Sequence, residues 1–362
     1  MLNAIAIIFG YFTLQSHHQR STAFQPWLSG YAFLCYAVAL ILLYAGGFTT
    51  TIGAGMVFPD WPLSNGSLNP PGWTVDQAMM AEHGHRLLGS TVGSLCIGLV
   101  VWTQLREGRK WVRRLAIFAL GFVIFQGLLG GARVLLVNTD LAMVHGITAQ
   151  VFLCILASMA VACSRWWRNL PTPDSLDADA QAYWRQQRWI GGVLVLLTLT
   201  QLTIGSVLRH AGVGMAIPYF PEATADGSLL PASWNWATGI NMAHRATALI
   251  IFLFVPFWAH RTWRAPGATR AMKGFVMASL VLVFAQVLLG ASIIWTGRAP
   301  IQTTLHVLNG AIFLSVTWVS VFAYAKPLLS QSECAQNLIA PDKDANTVTT
   351  AAWQTPATSS RS

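Results

Sequence analysis

Charge is scarce in this sequence. Of 362 residues, 13 are acidic and 22 basic, so 10% are charged, where a soluble domain carries about 25%. A chain this poor in charge cannot clothe a water-facing surface. With 54% hydrophobic residues and a mean hydropathy of +0.51, it has the composition of a polytopic membrane protein. Cysteine is scarce too. Cys35, Cys96, Cys154 and Cys163 lie inside apolar runs, Cys334 lies in a polar tail, and no C-x-x-C occurs. That excludes a disulfide framework and a thiolate zinc centre and leaves small packing residues. The formal net charge of +9 is no sign of nucleic-acid binding. The basic residues fall in short loops between apolar runs and form no patch or stripe that would track a phosphate backbone.

What is abundant is long apolar runs and tryptophan, 16 of them, a residue that suits membrane interfaces. Eight runs are long enough to span, at about 30–50, 84–105, 114–135, 143–163, 189–210, 242–260, 272–295 and 303–325. Arg106, Arg109, Lys110, Arg113 and Arg114 follow the second, Arg165, Arg168, Arg185 and Arg188 the fourth, and Arg261, Arg264, Arg270 and Lys273 the sixth. The opposite side carries Asp60, Asp76, Asp140, Glu222 and Asp226. The positive-inside rule then places both termini in the cytoplasm and the long loops 51–82 and 211–241 outside, facing the periplasm in a bacterium. Met1 to Leu14 is apolar but shorter than the ~20 residues needed to span, no small-residue cleavage site follows it, and His17-His18 lack a third ligand type nearby. From Lys326 onward the chain has too little apolar content for a core and is expected to be disordered.

The chain repeats itself at an offset of about 160 residues. Gly55-Met56 answers Gly214-Met215, Pro59 and Pro62 answer Pro218 and Pro221, and Trp73 answers Trp234. His85-Arg86 answers His244-Arg245, Gln126 answers Gln286, Leu128-Leu129-Gly130 answers Leu288-Leu289-Gly290, and His145 answers His306. Four spans fall in each half and both halves enter the membrane in the same sense, so the repeat is parallel. The expected fold is all-α: eight transmembrane helices in two four-helix bundles related by a pseudo-twofold axis along the membrane normal. The expected organisation is a lead-in at 1–29, a first bundle at 30–165, a cytoplasmic linker at 166–188, a second bundle at 189–325 and a cytoplasmic tail at 326–362.

Four histidines survive the repeat: His85, His145, His244 and His306. Each lies near the outer end of an even-numbered span, so each half brings two imidazoles to one level. A single intramembrane histidine is often a hydrogen-bonded packing residue. Four, paired by level in both halves, point to cofactor binding in the bundle interiors. Two facing imidazoles in an apolar setting suit axial ligation of a haem. Zinc would need further protein ligands, and copper a cysteine or methionine cluster. His210 and His260 have no counterpart and are read as packing residues. Arg86 and Arg245 follow ligand candidates and are candidate partners for haem propionates, with ordinary interfacial arginines as the other reading. Gly89, Gly93 and Gly98 are expected to let helices approach, and Gln126 and Gln286 to make interhelical contacts.

The halves differ at one telling position, where Glu82 answers Asn241. A carboxylate one turn before a ligand histidine can act as a base or stabilise positive charge on a substrate, and an amide can do neither as an ion. The first half then does chemistry on a bound porphyrin and the second holds an electron-transfer haem. The plainer reading is that Glu82 pairs with Arg86, its i+4 neighbour.

The stretch Gly47 to Pro62 (GFTTTIGAGMVFPDWP), the Glu82-x-x-His85-Arg86 motif and the three later histidines resemble the haem A synthase family over roughly residues 30–325. The resemblance implies an eight-helix membrane oxidoreductase that oxidises the C8 methyl of haem O to a formyl group, giving haem A. It implies that Glu82 is catalytic, that His85 and His145 flank the substrate haem, and that His244 and His306 ligate the iron of a haem b cofactor. It also implies a haem O synthase (protohaem farnesyltransferase) upstream, and a haem-copper oxidase or its assembly factors downstream, in the bacterial plasma membrane. Many bacterial members carry a cysteine pair in the first outer loop, whereas residues 51–82 here have none, as in the subgroup that lacks it. Two other classes fit the same histidines: a non-catalytic dihaem carrier passing electrons to or from quinone, and a haem carrier.

Overall fold

The computed structural model describes residues 20–172 and 175–326. The expectations for His17-His18, Cys334 and the tail lie outside those residues. Eight long helices carry the chain: α1 Pro26–Thr51, α2 Gln77–Arg106, α3 Lys110–Leu135, α4 Thr139–Cys163, α5 Ala178–His210, α6 Trp236–Trp263, α7 Arg270–Trp295 and α8 Pro300–Tyr324. The shortest has 25 residues, ~38 Å at 1.5 Å per residue, which exceeds the ~30 Å hydrocarbon core. All eight are long and apolar enough to cross a membrane, and among the described residues there is no β-sheet. The protein is an all-helical integral membrane protein.

Several helices begin well before the apolar runs, because capping rather than hydropathy sets their starts. Asp76 accepts the Met79 N–H at 2.8 Å, and α2 starts at Gln77 instead of 84. Asp177 accepts the Ala180 N–H at 2.7 Å and starts α5 at Ala178 instead of 189. Asn235 and Thr238 form a reciprocal capping box that starts α6 at Trp236 instead of 242. Pro26 and Pro300 open α1 and α8, where a missing N–H costs nothing.

Helices α1 to α4 close into a ring in which α1 touches α2 and α4, and α3 touches the same two. Helices α5 to α8 repeat that ring. Between the halves, α1 meets α8, α5 meets α4, and α4 meets α8. Exchanging the halves leaves this set of contacts unchanged. Where α4 crosses α8, Trp318 Nε1 donates to Ser158 Oγ at 2.8 Å, one residue off the register of the repeat, in which His145 answers His306 and Ala157 answers Trp318.

Each ring has a packed core, but only at one end. Leu28, Val92, Leu99, Val112, Phe152 and Met159 fill the first, and Leu194, Ile251, Val255, Trp258, Val276 and Phe313 the second. Both clusters lie away from the long loops 52–76 and 211–235 and stop short of the histidine level. Large side chains such as Phe118, Phe125, Leu253 and Phe284 are exposed on the outer faces, as lipid contact requires. Cys35, Cys96, Cys154 and Cys163 are buried and free.

At the densely packed end, Glu107 is fully buried between α2 and α3. Arg109 donates to both its carboxylate oxygens at 2.9 Å, and Arg168 approaches at 3.7 Å. Burial pushes this carboxyl up, but the hydrogen bonds and charge of Arg109 outweigh it and hold the group below the usual range. The stability it contributes is therefore present above the unfolded-state pKa and is lost as pH falls through the lowered folded value. Glu107→Ala leaves two guanidiniums without an anion and is expected to cost ~3–5 kcal/mol. Thermal unfolding in detergent checks this: the variant melts lower near neutral pH, and the gap to wild type closes in acid.

Candidate functional site

Each of the four repeated histidines lies against a glycine of the preceding helix. A Cβ placed on Gly46 of α1 would meet His85 Cε1 at 2.6 Å. Cβ atoms on Gly130, Gly205 and Gly290 would meet Cε1 of His145, His244 and His306, each at 3.2 Å. Glycine thus lets an imidazole lie flat against a neighbouring backbone at four equivalent places. All four are 6 to 8 residues inside the long-loop ends of α2, α4, α6 and α8, roughly 9–12 Å in. Gly89 and Gly93, by contrast, face open space, so their expected role in helix approach is corrected. Gly98 does have it, because the Tyr31 hydroxyl rests on it.

Across the first ring, the centroids of His85 and His145 are 6.5 Å apart with the rings at 88°. Two metal–imidazole bonds of ~2 Å, plus the distance from nitrogen to ring centre on each side, put trans imidazole centroids ~6.3 Å apart. The spacing fits one iron between the two rings. His244 and His306 are within electrostatic range of each other in the second ring. All four Nδ1 atoms are buried without a hydrogen-bond partner. Among the described residues, no three metal-binding side chains converge. A metal held here must therefore bring further ligands of its own, as the iron of a porphyrin does.

The two pairs are held differently. Gln201 donates to His244 Nε2 at 3.2 Å and to its carbonyl at 3.0 Å. Gln286 does the same for His306 at 3.2 and 3.1 Å. In the first half Leu42 stands where Gln201 does, and Gln126 turns to Thr148 Oγ1 at 2.6 Å. Gln126 and Gln286 both make the expected interhelical contacts, whereas Gln201 went unnoticed because its counterpart is a leucine.

Beside the first pair, Glu82 is buried in α2. One carboxylate oxygen accepts the Val57 and Phe58 N–H groups at 2.7 and 3.1 Å, and the other accepts Arg86 Nη2 at 2.5 Å. The Glu82–Arg86 pair of the plainer reading is therefore present, and it is built into the loop. Arg86 also donates to the carbonyls of Phe58, Asp60 and Leu63. Asp60 shapes that loop by accepting the Asn65 and Gly66 N–H groups, each at 2.7 Å. The Gly66 bond foremost, with Arg86 nearby, holds its carboxyl below the usual range. His83 points away from the pair and into the loop, where Nδ1 shares a hydrogen with Ser64 Oγ at 2.9 Å and the ring meets Trp73 edge-on.

The second half keeps the same scaffold without the carboxylate. Arg245 donates to the carbonyls of Ile217, Tyr219 and Glu222 at 3.2, 2.6 and 2.9 Å. Asn241 donates to the Gly214 carbonyl at 3.1 Å. In both halves the arginine after the repeated histidine fastens the long loop, and only the first half places an acid beneath it. His210 lies at the end of α5 and His260 is exposed, and neither joins a pair.

Gly46→Ala is expected to push His85 out of line and to weaken the first-half site about 10–100-fold, as loss of an orienting contact does. Absorption spectra of bound haem check this, because the second pair, untouched, should keep its signal.

Residues 73–318 match the family model COX15-CtaA, described as cytochrome oxidase assembly protein. The chain is also similar to curated proteins named Heme A synthase. That of Symbiobacterium thermophilum is 30% identical over 263 residues, covering 70% of this chain and 81% of the relative. That of Bacillus licheniformis is 27% identical over 278 residues, covering 74% and 86%. That of an Exiguobacterium species is 26% identical over 296 residues, covering 81% and 91%.

Proposed function

Since the chain belongs to the haem A synthase family of cytochrome oxidase assembly proteins, we propose that it oxidises the C8 methyl of haem O to a formyl group, giving haem A. The observation that carries this reading is the asymmetry between two otherwise equivalent histidine pairs. One has a buried carboxylate one turn away and the other an amide.

In this reading His85 and His145 hold haem O as substrate, and His244 and His306 hold a resident haem b. When bound, that haem supplies one-electron chemistry for withdrawing electrons from the methyl group. Glu82 provides a carboxylate fixed by three donors, preorganised to stabilise positive charge developing on the substrate. Gln201 and Gln286 hold the cofactor histidines, the amide reaching Nε2 and the backbone carbonyl of each, and with iron on the ring the same amide turned over would accept the N–H of the nitrogen that does not bind it. The first pair lacks such braces, which suits a molecule that must enter and leave. The loop fastened by Arg86 lies beside the substrate pair, with Trp61 against Gly131, the residue after the glycine that backs His145. Arg86 and Arg245 thus serve the porphyrins through the loops.

The two halves are taken as bundles at 30–165 and 189–325 about a pseudo-twofold axis, supported by the exchangeable helix contacts. Substrate comes from a haem O synthase and product goes to a haem-copper oxidase or its assembly factors. The protein sits in the bacterial plasma membrane, with both termini cytoplasmic by the distribution of arginines.

Co-expression with a haem O synthase, followed by haem extraction and chromatography with mass detection, tests the proposal. Haem A or its hydroxylated precursor is expected. Haem B alone, with haem O demonstrably supplied, would leave a dihaem electron carrier as the better reading.

A further inference from the structure

At the long-loop end, the partly buried guanidiniums of Arg133 and Arg209 belong to no ion pair among the described residues. Arg133 of α3 donates from Nη2 to the Gly55 carbonyl at 3.0 Å. Arg209 of α5 donates from Nη2 to the Gly47 carbonyl and to Thr51 Oγ1, each at 2.6 Å. The ion pairs among the described residues are Arg86–Glu82, Arg109–Glu107 and Arg168–Glu107. Arg133 and Arg209 belong to none of them. Glu82 lies within electrostatic range of Arg133, but its oxygens are already taken by Arg86 and two backbone amides. A partly buried cation at membrane depth is costly unless an anion meets it.

Their placement says where that anion belongs. Arg133 follows Gly130 by three residues, and Arg209 follows Gly205 by four. Residues three and four apart share a helix face, and Gly130 and Gly205 are the glycines against which His145 and His244 lie. Each arginine is therefore on the face that backs a ligand histidine, about one turn, ~5 Å, nearer the loop. The charge of Arg133 reaches both His85 and His145. The two are not repeats of each other. Thr50 stands in the first half where Arg209 stands in the second, and Ile293 stands where Arg133 would be repeated. Each half thus keeps one such cation, from different helices.

We propose that Arg133 and Arg209 are carboxylate anchors, one per histidine pair, that take a propionate of the porphyrin bound there. A guanidinium fork matches a carboxylate in geometry and charge. Arg86 and Arg245 have the same chemistry but spend their donors on loop carbonyls. The proposal rests on the haem reading of the histidine pairs and adds the residues that orient the ring within them.

The test compares protohaem with protohaem dimethyl ester, which keeps the iron and the ring but not the carboxylates. The full-length protein is made in a haem-deficient host, purified in detergent and titrated with each, following absorption. Wild type should bind the free acid more tightly by roughly tenfold or more per guanidinium–carboxylate contact. Arg133→Gln and Arg209→Gln should each lose about that factor for protohaem and leave ester binding unchanged, and the double variant should not distinguish the two. Unchanged ester binding also certifies that the variants fold. Equal wild-type affinity for acid and ester would mean that another anion, such as a lipid phosphate, meets these arginines, and would overturn the proposal. Equal weakening of both ligands in the variants would make the arginines structural and overturn it too. If wild type binds neither porphyrin, the histidine reading itself falls and takes this one with it.

Discussion

Glu82→Ala is expected to abolish haem A formation while the second-half haem keeps its spectrum. The carboxylate is buried, so its charge acts through a medium of low effective dielectric. Removing a preorganised group of this kind costs on the order of 10²–10³ in rate. Alanine also frees the Val57 and Phe58 N–H groups and Arg86, so part of the loss would come from a loosened loop. Glu82→Gln separates the two effects, because the amide oxygen still accepts from the loop but carries no charge. If charge is what matters, the glutamine variant is nearly as inactive as alanine. Recovery of most activity with glutamine would make Glu82 a loop anchor only. The co-expression assay measures product, and the absorption of the purified protein reports the second haem in the same preparation.

His244→Ala or His306→Ala is expected to remove the resident haem and, with it, all turnover. Either change leaves one imidazole facing an empty position, and one axial contact cannot replace two. The loss should exceed that from Gln201→Leu, which makes the second half resemble the first. There a 10–100-fold weakening is expected, because the ligand remains and only its brace is gone. His85→Ala and His145→Ala should instead spare the resident haem spectrum and lose product. This pattern of four alanine variants and two readouts tests the division of labour between the halves. A resident haem that survived loss of His244 and vanished with His85 would reverse the assignment.

Much of this was legible in the sequence. The eight spans, the level of the four histidines and the contrast between Glu82 and Asn241 follow from hydropathy, from the repeat and from one unlike pair of residues. What was not legible depends on contacts between distant segments. Helix starts such as Gln77 and Ala178 were missed because hydropathy tracks lipid-facing side chains, whereas Asp76 and Asp177 set the first turn through backbone donors. Gly130 and Gly290 stood in the repeat with no role assigned, since a missing Cβ matters only once a neighbour's ring lies against it. Arg209 gave no signal at all. Its partners, Gly47 and Thr51, are on a helix of the other half.

The contact between Ser158 and Trp318 constrains how the two halves can associate. A small residue meets a large one there, and the indole donates to the hydroxyl. In the repeat Ala157 answers Trp318 and Val319 answers Ser158. Two copies of the first half would set Ser158 against Ala157 and leave a void. Two copies of the second would crowd Trp318 against Val319. The seam is a knob and a hole, so halves produced as separate polypeptides should sort into mixed pairs and discriminate against self-pairing.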